Sequence, residues 1–400
     1  MYTIYAQNLV SGTYVKTCIF DDASPLLEHK LISPSLKMAA GAAGSLTFEM
    51  PQTNAGYEAI QLLLTTVFVE RDETVIWTGR VLSESRDIWG SRKIFCEGAL
   101  AYLNDTIAAA GTYDSGLGGY LRAIIFEHNA KVQENRRIYL NTISIEDPAD
   151  HENYYSDDRT TLETIRSIVD ELGGVIQLLW DEENGLTLNL LNDYPATATQ
   201  VLDFGENLLD FTRTRNAADY CTVVYPRGAE WTQPITGAKL KLTIENATSV
   251  PTGYMRINQI YLMRDTNLIP PLLRGMRIEK VVDFADVDDP DVLAACAAEW
   301  LATYKYGELT LDVTALDLHI LDPEIEALEL LDKVQVRSAW HDLDSTFAVT
   351  EMTIPLDEPE KTKYTMGPPS IWYKRPPRTL TQKTAQKEGG LRVINGSDYS

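Results

Sequence analysis

Residues 45–105 read SLTFEMPQTNAGYEAIQLLLTTVFVERDETVIWTGRVLSESRDIWGSRKIFCEGALAYLND, and the spacing of apolar residues along them decides the fold. Ser45–Met50 alternates polar and apolar side chains, the period of a half-buried strand. Asn54 and Gly56 mark a turn, and Tyr57–Leu64 reads as either a short helical or an extended crossing. Thr66–Arg71 places Val67 and Val69 on one face and Phe68 and Glu70 on the other, because strand side chains alternate. Asp72-Glu73 is a polar break. Val75–Asp87 is then a longer strand, with Val75, Trp77, Gly79 and Val81 on one side, and Trp89-Gly90-Ser91 turns the chain into another over Lys93–Leu103. Consecutive strands joined by such short turns predict a small antiparallel sheet or barrel.

Working outward, Tyr2–Tyr5 and Thr13–Phe20 are further apolar strands, so residues 1–110 form one all-β unit. Glycines over 111–119 mark a boundary. Tyr120–Lys131 has helical spacing, with His128 read as a helix-end residue near the last carbonyls. Thr160-x-x-Glu163 is a capping box, and Leu162, Ile165, Ile168, Val169 and Leu172 share one face of the helix it opens. Gly173-Gly174 stops that helix, and Val175–Trp180 pairs with Leu186–Leu191 through Asn184-Gly185. Residues 111–205 are thus α/β. Residues 239–306 group with them, their clearest element a helix capped by Asp289 with Pro290 at its first position. Strands return over 206–238 and 307–360, a second barrel in two pieces. The expected architecture is mixed α+β, mainly β: two small antiparallel β-barrels with an interleaved α/β insert.

The chain of 400 residues has a formal net charge of −23. Residues 361–400 hold eight Lys or Arg against two Asp or Glu, about +6, so residues 1–360 carry about −29. An acidic body repels phosphates, which excludes a duplex-binding module but suits the wall of a conduit past which DNA slides. No run of 18 apolar residues predicts a membrane span. The start, MYTIYAQNLVSG, lacks the basic and apolar regions of a signal peptide. Cys18, Cys96, Cys221 and Cys296 form no CxxC pair and are expected as free thiols, with no metal or other cofactor.

Gly44-Ser45-Leu46-Thr47-Phe48, Gly79-Arg80-Val81-Leu82-Ser83, Arg86-Asp87, Cys96-Glu97-Gly98 and Leu103-Asn104-Asp105 occur in an order and spacing that resembles the N-terminal region of phage minor structural proteins. These are tail-hub proteins whose longer relatives are called tail-associated lysins or prophage tail endopeptidases. The resemblance continues in TLETI, ELGGVIQ and NGLTLNLLND, and near the end in LLDKVQVRS, where Leu331 stands at a position the family gives to Gly. It implies two similar barrels per chain, a homotrimer forming a six-fold-like ring, and a place between the tail tube and a three-fold tip. Partners would then be a tube or distal tail protein on one face and a spike, fibre or lysin protein on the other, with DNA passing through the lumen unread. The implied location is the virion tail tip or baseplate, after synthesis in the bacterial host cytoplasm.

Catalytic motifs are not found: HExxH, GxSxG and the phosphate-binding glycine loop are all missing, and His341-Asp342-Leu343-Asp344 reads as a surface turn. Few residues follow Gly367, so the hydrolase of the longer relatives is not expected and the chain is read as no enzyme. The alternatives are a cell-wall endopeptidase or glycosidase, and a carbohydrate-binding receptor module built on the seven Trp and twenty Tyr. After Gly367 the chain turns Pro-rich and basic. Residues 361–400 are expected as a partner-binding arm, with Pro368, Trp372, Tyr373, Lys374, Arg375 and Pro376 as its contact residues.

Overall fold

Seven strands form the first half of the molecule: β1 (Tyr2–Val10), β2 (Thr13–Asp21), β3 (Ile32–Ala39), β4 (Ser45–Met50), β5 (Thr66–Arg71), β6 (Thr74–Arg86) and β7 (Arg92–Gly98). They are hydrogen-bonded in the order β3-β4-β7-β6-β5-β1-β2, all antiparallel. The computed structural model describes residues 1–113, 115–145, 154–156, 158–217, 220–233, 237–284, 287–303, 308–368 and 392–394. Strand alternation works as the sequence predicts on β4, where Leu46, Phe48 and Met50 are buried. On β5 it does not. Val67 and Val69 join the main core, and Phe68 on the opposite face is buried too, edge-on to Trp180 at 5.0 Å. Both faces of β5 are therefore covered, and burying Phe68 alone stabilises by about 1.5–3 kcal/mol.

Two local readings change. The stretch 57–64 is a series of turns rather than a helix or strand. The expected strand over Lys93–Leu103 ends at Gly98 and continues as a 3-10 helix, Ala99–Asn104. Ala99 through Leu103 are all buried, a run that a strand with one exposed face could not supply.

The sheet does not stop at β3. Glu351–Pro355 pairs with Ala39–Ser35, so β3 joins Leu343–Pro355, and the path runs on through Lys363–Gly367 and Glu308–Ala315 to Leu208–Asn216. Asp332–Ser338 also pairs with Leu343–Pro355 and takes Ala196–Asp203 in parallel. Among the described residues this makes one curled sheet of thirteen strands, in a mainly β molecule. Its inner face forms one core that gathers residues from Tyr2 to Cys96 with residues from Leu202 to Met366. Of residues 206–238, Leu208–Asn216 enters this sheet, whereas Val223–Arg227 pairs with Tyr261–Arg264 and Glu279–Asp283 in a separate four-stranded sheet. Periodicity identifies a strand but not its neighbour, so that split was not readable. The arm expected from residue 361 starts later, because Tyr364 and Met366 are buried in the strand Lys363–Gly367.

Two smaller cores flank the sheet. One spans Ala99 to Leu190 and holds α1 (Gly116–Lys131), α2 (Thr161–Leu172) and the hairpin Val175–Asp181 with Gly185–Leu191. The capping box is present in full: Thr160 accepts from the Glu163 N–H, and the Glu163 carboxylate accepts from the Thr160 N–H. His128 lies in the last turn of α1, as expected, and is fully buried there. Its Nε2 donates to the Arg136 carbonyl and its Nδ1 accepts from the Thr106 hydroxyl at 2.7 Å. The other core spans Cys221 to Leu301 around α3 (Pro290–Thr303). There the Asp289 carboxylate caps α3, accepting from the Asp291 and Val292 N–H groups.

Candidate functional site

The residues that carry the family resemblance converge. Gly79 and Gly98 face each other across β6 and β7, and Ala43 crosses above them. A Cβ on Gly98 would lie 1.7 Å from the Ala43 carbonyl oxygen, and one on Gly79 would lie 2.2 Å from that of Glu97. The Ala43 oxygen also accepts from Trp77 Nε1 at 3.3 Å. Only glycine permits this close packing.

Beside the glycines sits a charged node. Arg80, 8% exposed, donates from Nε to Glu97 at 2.7 Å and makes a two-pronged contact with the Asp105 carboxylate. Arg136, at the end of the α1 segment, approaches Asp105 at 3.4 Å, and both guanidinium groups lie over the Tyr102 ring at 5.4 and 5.3 Å. Burial acts to lower the Arg80 pKa, but its bonds to Asp105 and Glu97 outweigh it and hold the guanidinium charged well above its ordinary range. The node ties β6 and β7 to the core that begins at Ala99. Each charge in it has a partner, and Asp105 and Arg136 also line an opening of about 580 Å³.

The position expected as glycine before Asp332 shows why the family prefers that residue. Leu331 has φ 77, in the left-handed region, and is buried, its N–H donating to Val349. A left-handed non-glycine costs about 1–2 kcal/mol, which side-chain burial must offset here. Asp332 follows, 7% exposed, its carboxylate accepting from the Glu329 N–H at 2.8 Å. Burial above all, opposed by that hydrogen bond and aided by the Glu329 and Glu326 carboxylates, pushes its pKa up to about 6. The folded state thus binds this proton more tightly than the unfolded chain. Ionised Asp332 lowers stability above pH 6 by about 3 kcal/mol, a penalty that fades as pH falls from about 6 to about 4. Asp332→Asn, which keeps the acceptor, is expected to raise the unfolding free energy at pH 8 by up to about 3 kcal/mol. The difference from wild type should close by pH 4, as urea titrations at the two pH values would read.

His341 is not part of a catalytic cluster. Its Nδ1 lies 2.6 Å from the Ser338 hydroxyl and its ring packs edge-on against Phe204 and Phe211, with Asp342 in a left-handed turn. None of the four cysteines is in a disulfide, and Cys96 and Cys221 are buried. Among the described residues no group of three His, Cys, Asp or Glu is placed to hold a metal ion. Of the expected arm contacts, Pro368 lies half-buried just past the strand Lys363–Gly367. Trp372, Tyr373, Lys374, Arg375 and Pro376 lie outside the described residues.

What the sequence reading missed lies on the surface. The turn between β6 and β7 projects Ile88 and Trp89 into solvent, 91% and 84% exposed. Leu62, Leu63 and Leu64 are half exposed on a separate loop, the one that precedes β5. An Asp-Ile-Trp-Gly turn and three successive leucines in a loop were the available signals.

No family model matches the chain, and no curated protein matches it. Its fold is nonetheless that of prophage tail proteins of known structure. The 43 kDa tail protein of prophage MuSo2 from Shewanella oneidensis superposes with a TM-score of 0.59 at 12% identity, over 94% of this chain and 100% of that one. A tail protein from Neisseria meningitidis MC58 gives 0.56 at 13% identity, over 94% and 99%. The prophage tail protein gp18 from Listeria monocytogenes EGD-e gives 0.52 at 13% identity, over 91% and 94%.

Proposed function

We propose that this chain, sharing its fold with prophage tail proteins, is the structural hub of the tail tip or baseplate of a phage or phage-tail-like particle. The observation that carries the reading is end-to-end likeness: the match to the MuSo2 tail protein spans 94% of this chain and 100% of that one. In this reading three copies form a ring that adapts the six-fold tail tube to a three-fold tip. Residues 1–110 are one barrel domain, and the expected second is redrawn as 196–217 with 307–367, because Ala196–Asp203 joins the main sheet. Residues 111–195 with 220–306, which include the sheet of Val223–Arg227, are the periphery. Support comes from the sheet itself. Among the described residues β2, Leu208–Asn216 and Ala196–Asp203 each form a ladder on one side only, so the branched thirteen-stranded sheet has three edges that neighbours could meet. The net charge of −23 suits a lumen that DNA crosses without sticking. The chain acts without enzymatic chemistry or membrane insertion, and the arm beyond Gly367 recruits spike, fibre or lysin components.

The test is genetic and structural. Particles from a host lacking this gene should show no completed tail tip by electron microscopy, and antibody to the chain should label one tail end of wild-type particles. Complete, infective particles without the protein would sink the reading. Particles carrying a chain cut after Gly367 should lose their tip or fibre proteins, and their retention would remove the arm from the proposal.

A further inference from the structure

The β6–β7 turn is rigid. The Asp87 carboxylate accepts from the Trp89 and Ser91 N–H groups at 2.9 and 2.8 Å. Tyr57 donates to the Gly90 carbonyl at 2.5 Å and Gln52 to that of Trp89 at 3.3 Å. Gly90 has φ 82, and a Cβ there would meet the Gln52 side chain at 1.8 Å. A backbone fixed at four points thus holds two large apolar side chains in water. Desolvating a preorganised tryptophan is a strong source of binding energy, because little ordering entropy is lost.

An opening of about 580 Å³ lies elsewhere on the same chain: Leu63, Leu64, Ile107 and Val132 form its apolar wall, and Lys131 with Asp105 and Arg136 of the charged node its polar one. Its wall is also fixed at a cost. Leu63 has φ 61, a strained conformation for leucine, yet its side chain is 46% exposed. The strain is imposed by its N–H donating to Val81 at 2.8 Å and by Arg136 donating to its carbonyl. Those two hydrogen bonds offset the backbone strain, and the apolar side chain they present to solvent adds no burial within the monomer.

We propose that Ile88 and Trp89 of one copy insert into the cleft at Leu63, Leu64, Ile107 and Val132 of a second copy, with Asp87 set against Lys131. Three observations favour a second copy as occupant. The cleft is within the roughly 300–1,000 Å³ range of sites that enclose a compact apolar group. The exposed carboxylate of Asp87 flanks the plug, and the cleft carries Lys131, which donates to the Ile107 carbonyl at 3.0 Å and lies 3.9 Å from Glu127, with Arg136 and Asp105. An anion on the plug thus meets two cations and one anion in the cleft lining. Every chain carries both halves, so the contact repeats head to tail and closes into a ring when the rotation allows. The inference rests on the ring reading above and names the contact that would close it.

Native mass by analytical ultracentrifugation at micromolar concentration tests the contact. The wild-type chain should sediment as a closed oligomer, and the double variant Ile88→Ser, Trp89→Ser should dissociate at least tenfold more readily with unchanged thermal unfolding. An equal mixture of Trp89→Cys chains and Ile107→Cys chains should form a disulfide-linked dimer under mild oxidation, whereas neither alone should. A wild-type chain that stays monomeric overturns the proposal, as does a double variant that keeps the oligomer mass. Cross-linking of Trp89→Cys chains alone would also overturn it, by placing the turns tip to tip. The tail reading fails independently, if particles are complete without the protein.

Discussion

Gly98→Ala is expected to destabilise the chain by about 3 kcal/mol, at the upper end of the range for overpacking a filled interior. The new methyl group would sit 1.7 Å from the Ala43 carbonyl oxygen and 2.9 Å from Trp77 Nε1. Relief cannot come from a side-chain rotation, since the nearest atom is backbone. Ala43 must move, and its oxygen is the acceptor for Trp77 at 3.3 Å, so the clash also breaks a largely buried hydrogen bond. Near-ultraviolet circular dichroism should report the loosened Trp77 environment, and urea titration the lost stability. Gly118→Ala is the control. A Cβ there meets only the end of the Arg122 side chain at 3.7 Å, inside α1, so helix propensity should raise stability by about 0.5–1 kcal/mol. If Gly98→Ala proves as benign as Gly118→Ala, the close approach of Ala43 is not what requires glycine.

That glycine was visible in the sequence as a motif letter, and its reason was not. The strand alternation of Ser45–Met50, the capping box at Thr160 and the Asp289 cap were all legible, because each is set by residues within a few positions of one another. Partner choice was not. Nothing local to Leu343–Pro355 says that it pairs with β3, some 300 residues earlier, and so fuses the two strand-rich halves into one sheet. The charged node lies between these cases. Arg80, Glu97 and Asp105 stood out as matched letters, but their common contact depends on the 3-10 turn over Ala99–Asn104, which a strand reading of Lys93–Leu103 would have aimed elsewhere. The exposed Ile88 and Trp89 were passed over for the opposite reason, since a tryptophan beside a glycine in a short hairpin reads as packing rather than as a free anchor.

Arg80→Met should be nearly as damaging, by about 2–3 kcal/mol, although methionine keeps the length and apolar stem of the side chain. The loss arises from what stays behind. Glu97 loses its only bonded cation in the node, and Asp105 keeps only Arg136, at 3.4 Å. Part exposure of Asp105 lets water soften the effect, which sets the figure below the ~3–5 kcal/mol of a fully buried pair. Two consequences separate this account from simple loss of packing. Removing the stranded charges with Glu97→Gln and Asp105→Asn in the Arg80→Met background should restore at least half of the stability, because a neutral node no longer holds unpaired carboxylates. The deficit of the single variant should also shrink as pH falls from 7 towards 4, since a stranded carboxylate binds a proton more readily in the folded chain than in the unfolded one. A deficit that ignores both pH and the added substitutions would mean that Arg80 acts through its contact with Tyr102, as a stacking interaction instead of a charge bridge between the sheet and the core beyond Ala99.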